Sequence, residues 1–591
     1  MKYKKLFSRS KDVYALTFSV MQCLHGAATP TSPVPLEQAY MQLAQALTAD
    51  NKQEDALTYY KKTIEYNPKN KEALYQLGVS LFKKNNHAQA ISYLEQYTAF
   101  DDQNSEILTQ LCTAHTKLGN TQKAAYYQEK IVAIHPTEQG YLQLGNLFLQ
   151  QDNYAQAIES YNRVLTTNSK NSEAYLQKAQ ALKKSAHLKD ALATYDQLLA
   201  HYKNHPQALL EKASLLAKMG NTDAAVATYQ QLLPMVPAQK KESLLYTLGN
   251  THRKGGNLAQ ARDLFQNILK QNPNHAHATL GLAKTYISLG DYALGWPLMA
   301  QYNQLANPHG ARLLTNTNQI KGKKIFIGAE WMLEDMVQLA RYAKNIHDAG
   351  GSVIMQTPPQ LYTLLKTCPF VDTVIGCNEN LAPAYHAYIP MTSLPALFGT
   401  TLDTVPTHGP YLNPPQELVT QWHMCMQNDN NFKIGLIWKR NETQIYDPAE
   451  RMSIPFALLA PIAKIPGVSL YCLQTVTEQE CAPCDYHSMF TLFGSGFTEN
   501  TDSLLNLAAL MKSLDLVISI DCCAAHIAGA LNIPILVLLP TRADYRWQRT
   551  GENFPWYPIM QLFRQQTPGN WNSVITDVKK ALKKILKNNA P

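Results

Sequence analysis

The spacing of apolar and small residues divides the chain into two halves with different periods. In the first half, one alanine recurs about every 34 residues, at Ala56, Ala90, Ala124, Ala157, Ala191, Ala225 and Ala261. A bulky apolar residue follows most of these alanines by four positions: Tyr60, Leu94, Tyr161, Tyr195, Tyr229 and Phe265. A spacing of four places both side chains on one face of a helix, and the small residue allows a second helix to cross closely. The pattern predicts pairs of helices, with prolines such as Pro68 ending the second helix of a pair.

This period and its Leu-Gly and Leu-Ala phrases resemble the tetratricopeptide repeat family. Seven repeats are clear within residues 36–274. A degenerate eighth begins at Ala276 and ends at about Gln304, so the array spans residues 36–304. The resemblance implies a superhelical solenoid whose concave groove binds a peptide or protein segment. A spacer that only positions the second half of the chain is the alternative.

After a polar linker, residues 305–321, short apolar runs alternate with helical segments. The runs read KKIFIGA, SVIMQTP, DTVIGC, AYIPM, FKIGLIW, VSLYCLQ, DLVISI and ILVLLP. This alternation predicts parallel α/β sheets. The pattern restarts after the proline-rich GPYLNPP, which predicts two lobes, residues 322–412 and 413–591. A ligand is then expected between the lobes, at the carboxyl ends of strands.

The segment DLVISIDCCAAHIAGALN places Asp521 where a predicted strand turns into a helix. The amides of Cys522, Cys523 and Ala524 fall at or near the start of that helix. Unpaired amides and the helix dipole suit a phosphate group there. An ordinary helix cap at Asp521 and a core histidine at His526 are the alternatives.

Residues 322–586 resemble the heptosyltransferase-like glycosyltransferase family 9. The phrases that carry the resemblance are GLIWKRN, SIPFALLAPIAKIPGVSLYCLQ, LDLVISIDCCAAHIAGALNIPILVLLP and YRWQRTGENFPWYPIMQLFRQ. The resemblance implies an α superhelical repeat solenoid followed by an α/β two-lobed GT-B-like domain with two Rossmann-like parallel sheets. It also implies a nucleotide-sugar as substrate, and neither a metal nor another cofactor.

The resemblance further implies that the C-terminal lobe binds the donor. The residues at the implied donor positions are Trp438, Arg451, Gln474, Asp521, Cys522, Cys523, Ala524 and His526. Asp521 and His526 match the family's Asp-Thr-x-x-x-His phrase, in which the backbone amides hold a diphosphate. Cys522 replaces the threonine and Cys523 a glycine. Arg451 lies one residue from the family's basic position.

The first lobe carries EWMLEDMVQL where relatives have EQGLGDTIQF. The resemblance implies that Asp335 is the general base for an acceptor hydroxyl, which suits carboxylate chemistry. Met332 and Glu334 replace both glycines, and an acidic helix start is the alternative reading of this segment. Two functions therefore stay open: a metal-independent glycosyltransferase, and an interaction scaffold with an inactive transferase domain.

Composition narrows the partners. Hydrophobic residues make up 45% and charged residues 17%, as in folded proteins. The net charge is +8, and ten cationic residues lie near the two ends of the chain. The rest of the chain is therefore close to neutral, which does not support a nucleic-acid-binding surface. Those cations are Lys2, Lys4, Lys5, Arg9, Lys11, Lys579, Lys580, Lys583, Lys584 and Lys587.

The terminal segments and the cysteines indicate in which cellular compartment the protein is expected. Residues 1–35 predict a basic leader, with a weak signal-like segment as the alternative. Ten cysteines without a disulfide framework favour a reducing, cytoplasmic compartment. Cys481 and Cys484 are read as loop cysteines rather than zinc ligands. The C-terminal KKALKKILKNN predicts a packed helix, with membrane-surface contact as the alternative.

Overall fold

The structure is a computed structural model that describes residues 35–306, 312–330, 332–377, 379, 384–440, 452–474, 490–492 and 503–588. The chain divides into two compact units, Met1–Ala208 and Leu209–Pro591. The predicted leader (residues 1–35) falls, except for Pro35, outside the described residues, as do Arg451 and the cysteines at 481 and 484.

The first unit is built from helices joined by short turns. Its complete helices are α1 (Leu36–Ala49), α2 (Gln53–Tyr66), α3 (Lys71–Lys83), α4 (His87–Tyr97), α5 (Ser105–Lys117), α6 (Thr121–Ile134), α7 (Glu138–Gln150), α8 (Tyr154–Thr167), α9 (Ser172–Lys184) and α10 (Leu188–His201). Several first helices of a pair begin at an asparagine cap, as at Asn70 and Asn171, whose side chains accept an amide hydrogen bond three residues on.

The repeated alanines and aromatic residues form the core of this unit, as the spacing predicts. Ala157 and Tyr161 on α8 are both fully buried. A Cβ atom added to Gly145 on α7 would lie 2.5 Å from the Tyr161 ring, so glycine is required for this approach. The Leu-Gly phrases of the sequence are therefore the points where a bulky side chain of the next helix is received.

The second unit continues with helices of the same type. They are α11 (Pro206–Lys218), in which the boundary between the units falls, α12 (Thr222–Leu232), α13 (Ala238–Gly255), α14 (Leu258–Gln271), α15 (Ala276–Leu289) and α16 (Tyr292–Leu305). The same close approach recurs, because a Cβ on Gly249 would lie 2.8 Å from Phe265.

A four-stranded parallel sheet follows, in the order β3-β2-β1-β4. Its strands are β1 (Lys324–Gly328), β2 (Ser352–Thr357), β3 (Thr373–Gly376) and β4 (Ala387–Pro390). The helices along this stretch are α17 (Leu333–Leu339), α18 (Tyr342–Asp348), α19 (Pro359–Leu365) and α20 (Leu394–Leu397). The two central strands, β1 and β2, are mostly buried, as expected for parallel strands covered on both faces.

A six-stranded parallel sheet completes the unit, in the order β10-β9-β8-β5-β6-β7. Its strands are β5 (Phe432–Ile437), β6 (Val468–Cys472), β7 (Phe490–Leu492), β8 (Leu516–Ile520), β9 (Ile535–Leu539) and β10 (Met560–Arg564). The helices along this stretch are α21 (Gln416–Cys425), α22 (Ala460–Ala463), α23 (Ser503–Met511), α24 (Cys523–Ala530) and α25 (Trp571–Asn588). Counted from β5, this is the 3-2-1-4-5-6 order of doubly wound folds.

The last helical pair packs directly onto this α/β region. Tyr292, Trp296 and Trp556 are buried together, and Trp556 Nε1 donates to the Tyr292 hydroxyl at 2.9 Å. A Cβ on Gly295 would lie 3.0 Å from the backbone nitrogen of Ile287. The Gly295-Trp296 phrase therefore joins the repeats to the sheets: the glycine lets α16 approach α15, and the tryptophan reaches Trp556.

The predicted helical repeats and the two following parallel sheets are confirmed. The domain boundaries drawn from the sequence stay a prediction. Within the described ranges, no helix is long and apolar enough to cross a bilayer.

Candidate functional site

The strand order reverses between β5 and β8, the two central strands of the second sheet: β6 and β7 lie on one side of β5, and β8, β9 and β10 lie on the other. These strands pair in parallel, and the connections leave them toward opposite edges. The carboxyl ends of two such strands bound a crevice, which is where doubly wound sheets bind ligands. Trp438, Lys439 and Arg440 follow β5, and Asp521 and Cys522 follow β8. The structure therefore brings two of the predicted segments to one crevice.

Helix α24 begins in this crevice with an extended Cys522 as its N-cap residue (φ −160°, ψ 171°). Burial raises the pKa of Cys522, while the Ser519 hydroxyl and the amides of Ala525 and Ala524 oppose that rise. Burial also raises the pKa of Cys523 well above its usual value. Both thiols are thus protonated at neutral pH, and neither adds negative charge at the helix start.

Asp521 lies at the tip of β8 with only 1% of its surface exposed. Within the described residues its Oδ1 atom has no hydrogen-bond partner. Burial, reinforced by the Asp544 carboxylate, raises the pKa of Asp521 to about 6, although Arg546 opposes the rise. Asp521 is therefore a carboxyl group that changes charge near pH 6.

His526 is fully buried on α24, against Trp547 at 5.0 Å between ring centroids. Its Nδ1 lies 3.5 Å from the Tyr557 hydroxyl. Burial, together with the positive charges of Arg546 and Arg341, holds the pKa of His526 well below its usual value. The ring is therefore neutral and packed in the core, beside Trp547 and Tyr557.

Asp335 reaches the second sheet from α17, which packs against α24. It is 8% exposed, and its Oδ1 accepts from Arg546 Nε at 2.6 Å and from the Tyr545 hydroxyl at 3.1 Å. Arg546 also donates to Asp544 at 2.7 Å. Asp335 therefore belongs to a buried ion-pair network that contains one arginine and two carboxylates.

Glu334, the residue before Asp335, pairs with a second arginine, Arg440. Its Oε1 lies 3.2 Å from Arg440 Nη2, in the loop after β5. The Arg440 amide donates to Ser453 Oγ at 3.0 Å, which holds that loop. Glu334 and Asp335 are thus each held by an arginine from a segment that connects strands of the second sheet.

The loop after β5 is held by Gln474, which lies two residues after the end of β6. Gln474 Oε1 accepts from the amides of Trp438 at 2.7 Å and of Lys439 at 3.0 Å. Trp438 is buried against Phe456 and Phe490, with ring centroids 5.1 Å and 6.1 Å away. Gln474 and Trp438 therefore position the loop, Gln474 through hydrogen bonds to its amides and Trp438 through packing.

In the first sheet, a glutamate links the ends of two neighbouring strands in a similar way. Glu330 follows β1, and its Oε1 accepts from the Thr392 hydroxyl at 2.7 Å and the Thr392 amide at 3.1 Å, just after β4. Burial raises the pKa of Glu330. Glu330, which is the first glutamate of the EWMLEDMVQL segment, thus links the ends of β1 and β4, where the strand order of this sheet reverses.

Arg440, Tyr545 and Arg546 were not singled out from the sequence, although Arg440 stands in the quoted phrase GLIWKRN and the other two stand in YRWQRTGENFPWYPIMQLFRQ. Nor did the sequence predict that a repeat residue reaches this network. Lys284 of α15 lies over the Tyr545 ring, 5.0 Å from its centroid, and burial lowers the pKa of Lys284. These contacts join residues that are far apart in the chain, so the spacing of neighbouring residues could not predict them.

Comparison with known proteins identifies the first part of the chain. Two tetratricopeptide repeat models match it, one at residues 47–113, 148–206 and 253–294 and the other at residues 207–233. The first ~300 residues carry tetratricopeptide repeats. These repeats make that part of the chain a protein-interaction module.

Protein FlbA of Caulobacter vibrioides is 28% identical over 286 residues, which are 45% of this chain and 47% of that protein. The chain thus matches about half the length of this relative. Among solved structures, the C-terminal part of a repeat protein from Cytophaga hutchinsonii matches at 17% identity with a TM-score of 0.32, over 41% of this chain and 99% of that one. A MamA protein matches at 20% identity with a TM-score of 0.23, over 28% and 92%.

Proposed function

We propose that this chain is a glycosyltransferase of the two-lobed GT-B type. It transfers a sugar from a nucleotide-sugar donor to an acceptor that the repeats recruit. One observation carries the proposal: the reversal point of a doubly wound sheet brings together the start of α24 and an arginine, Arg440. Helix amides and a guanidinium are the groups that bind a diphosphate.

In this proposal Arg440 takes the basic role that the family resemblance implies for Arg451. It follows β5 directly, and its side chain is 31% exposed. Its partner Glu334 is nearly buried, with 8% of its side-chain surface exposed. A diphosphate at the start of α24 competes with Glu334 for this guanidinium, so donor binding loosens one connection between α17 and the second sheet.

Asp335 keeps its predicted role as general base in this proposal. Both of its described hydrogen bonds fall on Oδ1, which leaves Oδ2 as the oxygen that takes the proton of an acceptor hydroxyl. Arg546 and Tyr545 then orient the carboxylate. Because transfer from a nucleotide sugar releases a diphosphate, charge stabilisation by Arg440 and the α24 amides favours the departing group.

The acceptor is proposed to be a protein segment held by the repeats. The first unit offers a cavity of about 710 Å³ lined by residues that include Ile91, His115, Asn120 and Lys123. It combines apolar, amide and charged groups, as a peptide site requires. The reaction is assigned to a reducing, cytoplasmic compartment on the strength of the cysteine content.

The second candidate is an interaction scaffold with an inactive transferase domain. The ion pairs favour it, because Glu334 and Asp335 are each already paired with an arginine. A donor must compete with these pairs, and breaking a buried pair is costly. In this alternative the two pairs hold α17 against the second sheet permanently.

Isothermal titration of the full chain with ADP, GDP, UDP, CDP and TDP tests the proposal. One nucleotide should bind, and Arg440→Gln should weaken it at least about tenfold, the effect of losing a charge-assisted hydrogen bond. Arg262→Gln, which removes an exposed arginine on α14, is the matched control and should bind normally. Absence of binding by all five at millimolar concentration would favour the scaffold.

A further inference from the structure

A second cavity opens at the carboxyl ends of β9 and β10, at the edge of the six-stranded sheet. Its volume is about 930 Å³. Thr541 lines it just after β9, Gln565 just after β10, and Asp577 from α25. The cavity is thus built by different strands from those that bound the β5–β8 crevice.

Two arginines line this cavity, and their described hydrogen bonds go to main-chain carbonyl oxygens. Arg549 donates to Thr541 O at 3.3 Å and to Arg253 O at 3.0 Å. Arg564 donates to Trp547 O at 2.6 Å and to Gly551 O at 3.3 Å. Carbonyl dipoles fix both guanidinium groups in place without cancelling their charge.

The charges of the two arginines are crowded. Burial lowers the pKa of Arg564 to about 10, and Arg549 adds to that effect. Burial also lowers the pKa of Arg549, followed by the charges of Arg253 and Arg542, with Asp544 opposing.

The two acidic residues of the lining, Glu552 and Asp577, are both exposed. Asp577 is paired with Lys580 at 3.0 Å. The half-buried wall of the cavity is therefore cationic, and its rim is acidic.

Two polar side-chain atoms of the lining are buried and lack a partner within the described residues. They are Thr541 Oγ1 and Gln565 Nε2. Gln565 is only 5% exposed, and its Oε1 already accepts from the Gly569 amide at 3.2 Å. A buried hydrogen-bonding group that stays unpaired costs free energy, so each atom calls for a partner that the described residues do not supply.

We propose that this cavity binds a small oxyanion, a phosphate or carboxylate group of a metabolite. Arg549 and Arg564 supply the charge, and Thr541 Oγ1 and Gln565 Nε2 donate the hydrogen bonds that fix its oxygens. The site is separate from the proposed donor site, because it lies at β9 and β10 rather than at β5 and β8.

The test is titration calorimetry of the full chain with inorganic phosphate and with malonate, each against sodium chloride at equal ionic strength. Chloride corrects for screening of the arginines. At least one of the two anions should bind beyond the chloride reference. Their relative affinities then distinguish a phosphate from a carboxylate ligand.

Two near-isosteric variants locate the binding. Thr541→Val should weaken the anion about tenfold, and it should not destabilise the free protein because it removes an unpaired hydroxyl. Gln565→Glu keeps the acceptor for Gly569 but replaces the donor with a carboxylate. It should abolish anion binding and raise the melting temperature of the free protein by pairing with the arginines.

Arg440→Gln separates this site from the donor site and should leave phosphate and malonate binding unchanged. The proposal is overturned if neither anion binds beyond chloride at 10 mM, a concentration set by the weak affinity expected of a small ion. It is also overturned if binding survives both cavity variants, or if Arg440→Gln alone removes it.

Discussion

Replacing Asp335 by asparagine should destabilise the second unit, because Asp335 pairs with a nearly fully buried arginine. Arg546 has only 4% of its side chain exposed and lies 2.6 Å from Asp335. Breaking a buried pair by removing one partner costs about 3–5 kcal/mol, since the remaining charge is left uncompensated. Arg546 keeps Asp544 as a partner, so the lower end, about 3 kcal/mol, is expected.

Tryptophan fluorescence measures this loss in the second unit alone, because all seven tryptophans lie between Trp296 and Trp571. A unit of this size has an unfolding entropy of roughly 0.8 kcal/mol/K, so 3 kcal/mol corresponds to a fall of about 4 °C in melting temperature. Asp348→Asn removes the exposed carboxylate that pairs with Lys344 and should not shift the transition measurably. A shift for Asp335→Asn as small as that of the control would refute the buried-pair reasoning.

Three further substitutions have expected outcomes: two test packing contacts, at Gly145 and Tyr292, and one tests the raised pKa of Asp521. Gly145→Ala should cost about 1–3 kcal/mol by overpacking against Tyr161, seen as a lower far-ultraviolet melting temperature. Tyr292→Phe should cost about 1–3 kcal/mol, because Trp556 Nε1 loses its acceptor, and tryptophan fluorescence reports it. The pKa of Asp521 is raised in the fold, so its contribution to stability is full below the unfolded pKa of about 4 and is lost as pH rises through about 6. Asp521→Asn should therefore melt higher than the natural chain at pH 8 and show no such gain at pH 4.

The repeats could be predicted in detail because their information is local. An alanine and an aromatic residue four positions apart determine one helix face, and the 34-residue period repeats that information along the array. Burial of Ala157 and Tyr161 confirms the reasoning at one such pair. The same reasoning located the degenerate last pair, whose Trp296 packs on Trp556.

The parallel sheets were also predicted, but two of their strands were not. Strand β7 has three residues, too few for a periodic pattern. Strand β10 (Met560–Arg564) follows an aromatic and proline-rich stretch and ends in arginine, so its apolar run is short. Pairing with β9 along five residues defines it as a strand, and that pairing is a tertiary contact.

The place of Asp521 between a strand and a helix was predicted, but the side-chain contacts around it were not. Asp521 does lie at the end of a strand and before a helix, because strand and helix periods are readable from sequence. The partners of Asp335 are 210 and 211 residues away, at Tyr545 and Arg546. Gln474 Oε1 accepts hydrogen bonds from the two amides after β5, and its contact with the donor stays a prediction. Such side-chain geometry depends on the packed fold, which spacing along the chain does not encode.

The most direct test of the proposed transferase is hydrogen exchange measured by mass spectrometry, with the full chain saturated by the nucleoside diphosphate that binds in titration. The account predicts slower exchange in two separate peptides together: the one that contains residues 437–440 and the one that contains residues 521–526. These segments follow β5 and β8 and bound one crevice. Protection confined to any other region, or none at saturation, would contradict the assignment of the donor site to the reversal point of the second sheet.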